Sequence, residues 1–131
     1  MVERRKYRRF KSRLLITTLY RDEHDKIVTE NSVLSEDIGL GGLRLVFPRW
    51  LQKGKILDLK VFLFSDPIHL PARGKVMWSG EKQVLELATP DSVGGSEKEL
   101  YWIGIQFIDI DAFHRERILR WIQKEFHVVD L

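Results

Sequence analysis

With 131 residues the chain suffices for one domain with a real core and is too short for two independent ones. Its 44% hydrophobic and 11% aromatic content excludes a disordered or fibrous polymer, and the lack of cysteine excludes disulfides, thiolate metal sites and cysteine nucleophiles. Within a net charge of +3, residues 1–13 hold seven Lys or Arg against Glu3, a local +6 that leaves −3 for the remainder.

That first stretch, ERRKYRRF at 3–10, is a like-charge block, so residues 1–13 are expected to form a flexible basic arm ahead of a domain at 14–131. Its cations repel one another, and the arm is where an anion would be met. No stretch reaches the roughly 20 apolar residues of a membrane-spanning helix, and no hydrophobic leader core follows the basic start. A cytoplasmic protein without membrane insertion is expected.

LLITTLY at 14–20 reads as a strand closed by the turn cluster RDEHDK, and IVTENSVLSE at 27–36 as the returning strand. Three glycines at 39–42 precede a strand pattern on Leu43, Leu45 and Phe47 that Pro48 ends. In ILDLKVFLF, 56–64, Leu57, Leu59, Val61 and Leu63 alternate with Asp58 and Lys60, the period of a half-buried strand. ARGKVMW at 72–78 places Ala72, Val76 and Trp78 on one face, and SGEK turns into a further strand, VLELA. Residues 89–99 read as a mobile loop, and LYWIGIQFI at 100–108 as the last strand. Ile118, Trp121, Ile122, Phe126 and Val129 then recur at helical spacing, predicting a helix over about 111–127 capped by Asp109 or Asp111. An all-β antiparallel barrel or sandwich with one C-terminal helix follows.

Catalytic signatures are missing: the sequence has no nucleophile elbow, phosphate loop or HExxH helix, and its four histidines are scattered. Neither an enzyme nor a bound cofactor is expected.

Arg5 and Arg9 form R-x-x-x-R in the arm, a spacing that Arg4 and Arg8 also satisfy. Downstream comes Asp37-Ile38-Gly39-Leu40-Gly41-Gly42, which resembles the D/N-x-S-x-x-G element of PilZ domains. GKVMW at 74–78 and YWIGIQFIDID at 101–111 are similar to later strands of that family. The resemblance implies a six-stranded antiparallel β-barrel that binds cyclic di-GMP and relays to an unknown downstream protein. It places ligand contacts on Arg5 and Arg9, with Arg4 adding stacking or phosphate contact, on Asp37 as an acceptor for guanine N–H groups, and on Gly39 and Gly42. Trp78 either lies beside a base or fills the barrel with Val76.

The chemistry suits such a ligand, since a guanidinium can fork onto guanine O6/N7 or phosphate and stack on a base. Gly42 offers close backbone approach or positive φ. Gly39 stands where the family usually has serine, a loss of about 0.5–1.5 kcal/mol or about two- to tenfold in affinity, so restoring serine is expected to tighten binding. Two alternatives remain: a nucleotide-blind interaction module of the same fold, and a small-barrel nucleic-acid binder with Tyr7, Phe10 or Trp102 stacking on bases, which the net acidic body disfavours.

Overall fold

A computed structural model describes residues 7–63, 66–82 and 99–129, without the side chains of Ser32 and Lys82. In chain order these form β1 (Arg9–Lys11), β2 (Leu15–Arg21), β3 (Ile27–Gly39), β4 (Gly42–Phe47), β5 (Ile56–Phe62), β6 (Leu70–Lys82), β7 (Leu100–Asp109) and α1 (Ala112–Phe126). Neighbours run β3-β2-β5-β6-β7-β4, and β4 pairs back to β3, so six antiparallel strands close a barrel. β1 is added to β3 past the end of β2, with Arg9 opposite Gly39 and Lys11 opposite Asp37.

Period-2 alternation aims Ile16, Thr18 and Tyr20 of β2, Leu43, Leu45 and Phe47 of β4, Leu57, Leu59 and Val61 of β5, and Ile103, Ile105 and Phe107 of β7 into one shared core. Asp58 and Lys60 point outward, as the sequence pattern of β5 requires. β6 departs from its simple alternation, because a register shift between Val76 and Trp78 turns Trp78 to the outer face, where it is 42% exposed. Trp78 therefore does not fill the barrel. The expected strand VLELA and the loop up to residue 98 lie outside the described residues.

The helix begins at Asp111, whose Oδ1 accepts the His114 N–H at 2.9 Å, and ends at His127 in the left-handed region (φ 53°). Its buried face carries Ile118, Trp121 and Ile122, and Phe126 meets both Trp121 (5.8 Å) and Phe10 of β1 (5.0 Å). α1 thus packs against both the barrel core and the strand that ends the basic arm. On its other flank Arg117 donates to Asp66 Oδ2 and, at 2.9 Å, to the Ile68 carbonyl, tying the β5–β6 connection to the helix.

The Ile68 N–H and then the Arg117 guanidinium hold the Asp66 carboxyl below its ordinary pKa. A carboxyl lowered on folding adds stability that is fully present above its unfolded pKa and is lost as pH falls through the folded value. Asp66→Asn is accordingly expected to lower Tm at neutral pH and to shrink the difference from wild type in acid, as followed by thermal melts across pH.

Candidate functional site

Asp37 of β3 sits directly between Lys11 of β1 and Arg44 of β4, and only 7% of it is exposed. Its Oδ1 accepts from Arg9 Nη1 at 3.0 Å, while Arg44 Nε lies 3.2 Å from Oδ2 as an ion pair without hydrogen-bond alignment. A carboxylate this enclosed persists only with partners, and here one negative charge meets two guanidiniums with an ammonium-bearing residue across the strand. Within this group two partly exposed guanidiniums face one carboxylate, a local surplus of one positive charge. The Arg44 guanidinium also stacks over the Trp102 ring at 4.9 Å, leaving its plane backed by an aromatic face.

The glycines beside it act by close approach. A Cβ at Gly39 would stand 2.5 Å from the Arg8 carbonyl oxygen, one at Gly41 would stand 2.6 Å from the Tyr7 ring, and one at Gly42 would overlap the Ile105 carbonyl of β7. Positive φ is not their reason, since Gly54 is the glycine in that region among the described residues. A side chain at position 39 has to push the backbone of the arm away, because the contact is with a main-chain atom of Arg8, a cost that the expectation of tighter binding with serine did not include. At Gly42 the close backbone approach is the property in use.

Outward residues continue the row across the barrel. Arg44 faces Gly104 of β7, and Gly104 faces Trp78 of β6. Gly104 leaves room for the indole, whose Nε1 occupies the place of a Cβ, so Trp78 lies flat on the sheet. Three strand spacings separate it from Asp37, about 14 Å along the row.

Arg9, Asp37, Gly39 and Gly42 are thus gathered at one place, and Trp78 shares their outer surface three strands away. Arg4 and Arg5 lie outside the described residues. Arg44 was not among the sequence-derived contacts, and Tyr7 was named there only as a base-stacking side chain of the nucleic-acid alternative. Strand parity was a usable signal for Arg44, because two inward leucines flank it in LRL. Tyr7 had no such signal, since its seat on Gly41 joins distant segments. Among the described residues no group of three His, Asp or Glu is placed to hold a metal ion.

This arginine pair on a glycine-cleared barrel edge coincides with a sequence profile of the PilZ domain, which matches residues 3–124. The chain belongs to the PilZ domain family. Solved PilZ structures share its fold: the PilZ domain of Escherichia coli YcgR with c-di-GMP is 12% identical, with a TM-score of 0.62 over 97% of this chain and 100% of that one. MotI/DgrA, the Bacillus subtilis inhibitor of motility, is 17% identical with a TM-score of 0.65 over 98% of this chain and 55% of that one. MrkH from K. pneumonia, a c-di-GMP-dependent transcription regulatory factor, is 17% identical with a TM-score of 0.66 over 98% and 54%. The chain spans about half the length of the latter two. No curated protein matches the sequence.

Gly39→Ser is expected to speed amide exchange across Arg9–Lys11 about tenfold by prising β1 from β3, while Gly42→Ala is expected to cost about 1–3 kcal/mol of global stability through its overlap with β7. Hydrogen exchange and chemical denaturation separate these local and global effects.

Proposed function

We propose that this PilZ domain is a receptor for cyclic di-GMP in the cytoplasm, using ligand binding to change the surface it presents to a downstream protein. The observation that carries this is the Arg9–Asp37–Arg44 cluster, which sets two hydrogen-bonding forks and one acceptor at the junction of arm and barrel. Arg9 and Arg5, with Arg4 beside them, supply guanidiniums for phosphate oxygens or the O6/N7 edge of guanine, and Asp37 accepts from guanine N–H groups. Gly39 and Gly42 let arm and strand backbones close on one another. Trp78 offers a stacking face on the same surface. The output is carried by binding, since a nucleotide that draws Arg9 from Asp37 has to reposition β1, and β1 touches the helix through Phe10 and Phe126. No helix among the described residues is long and apolar enough to cross a membrane.

A second reading has its own support. Arg9 is already hydrogen-bonded to Asp37 and the space above Gly39 is already filled by the Arg8 carbonyl, as suits a nucleotide-blind interaction module.

Isothermal titration with cyclic di-GMP, with GMP as control, tests the two. Saturable binding of cyclic di-GMP alone is expected, with Arg5→Ala, Arg9→Ala and Asp37→Ala each weakening it at least about tenfold, or about 1.4 kcal/mol. Gly39→Ser is expected to weaken it as well. Absence of heat at high nucleotide concentration overturns the receptor reading in favour of the module.

A further inference from the structure

Two short motifs meet through residues that neither motif specifies. Tyr7 is the middle residue of R-x-x-x-R, counted from Arg5 to Arg9, and Gly41 is a variable position between Asp37 and Gly42. The Tyr7 ring lies against Gly41 so closely that a Cβ there would stand 2.6 Å from the ring's Cδ2 and 3.4 Å from Cε2. Gly41 cannot retreat easily, because its carbonyl accepts the Phe107 N–H at 2.9 Å and so ties the β3–β4 turn to β7. The same ring receives the guanidinium of Arg115 from the first half of α1, 5.4 Å from its centroid. Arg115 Nε is buried and has no hydrogen-bond partner among the described residues, and the guanidinium lies within cation–π range of the Tyr7 ring.

We propose that Tyr7 is the positioning residue of the arm: seated on Gly41 and against Arg115, it sets the register in which Arg9 reaches Asp37. Only Arg8 lies between Tyr7 and Arg9, and its carbonyl is pressed onto Gly39. The ring and that carbonyl are successive fixed points of the chain. With both in place, Arg9 has one strand register available, opposite Gly39. The ring also connects the arm to α1, so displacing the arm loosens a helix residue 108 positions away in sequence.

The nucleotide part of this proposal rests on the receptor reading, whereas the seating of the arm does not. Gly41→Ala is a clean probe, because Gly41 lies outside the left-handed region and its new methyl meets the Tyr7 ring first. Cyclic di-GMP titrations of Tyr7→Ala, Gly41→Ala, their double variant and Tyr7→Phe are combined with amide exchange of Arg9–Lys11 in the ligand-free protein. Each alanine is expected to weaken binding about five- to tenfold, as for a lost ring–cation contact with its buried face. The double variant should be no more than about twofold weaker than Tyr7→Ala alone, and Tyr7→Phe should stay within about twofold of wild type.

In the free protein both alanine variants are expected to exchange at least about fivefold faster across β1. Fully additive losses in the double variant, or unchanged exchange in β1, overturn the proposal. Should the wild type bind no cyclic di-GMP, the receptor reading fails by itself, and exchange in the free protein decides the seating of Tyr7: faster in both variants supports it, unchanged refutes it.

Discussion

One carboxylate holds the junction of arm and barrel together. Asp37 is almost enclosed, and its two oxygens face guanidiniums from opposite neighbours in the sheet, Arg9 from the added strand and Arg44 from the barrel. Low local dielectric makes such a triad strong when complete and costly when broken, because a lone buried charge has no water to turn to. This pairing joins β1 to β3 and so holds the arm against the barrel. The unequal charge count, two guanidiniums to one carboxylate, is what relates this structural ion cluster to the proposed anionic ligand.

Around that junction the backbone comes closer to itself than side chains would permit. Gly42 admits the Ile105 carbonyl, Gly39 the Arg8 carbonyl, and Gly104 the flat indole of Trp78. Only the first belongs to barrel closure. The second belongs to the arm and the third to the outer surface, so the same chemical feature, a missing Cβ, serves fold and site in different places. Gly39 illustrates that a motif departure has to be judged by what fills the space as well as by the group it lost, since the Arg8 main chain lies where a side chain would stand.

The helix is tied into the same mechanics. Phe126 stacks near Phe10 and Arg115 meets Tyr7, so α1 touches the arm at two points while its Ile118 and Ile122 remain in the barrel core. A rearrangement of the arm, as proposed above, would act on the helix through these two contacts. A core separate from a three-residue added strand is the condition for a binding event to alter one surface without unfolding the domain.

Much of the architecture was legible because it is written in periods that local physics enforces. Leu57, Leu59 and Val61 alternate since a strand has two faces, and Ile118, Trp121 and Ile122 recur since a helix turns every 3.6 residues. Arg9, Asp37 and Gly42 were legible as a spaced set resembling a known family. β1 was not, because a run of cations has no strand period of its own and becomes a strand through Asp37 and Gly39, 26 or more residues downstream. Trp78 followed the inward period until a register shift against β7 turned it out, an event that depends on two paired strands. Sequence alone determined the barrel-forming strands, the helix and the charged arm, whereas tertiary structure decided where the arm rests and which way Trp78 and Arg44 face, because those outcomes are set by close contacts between residues far apart in the chain.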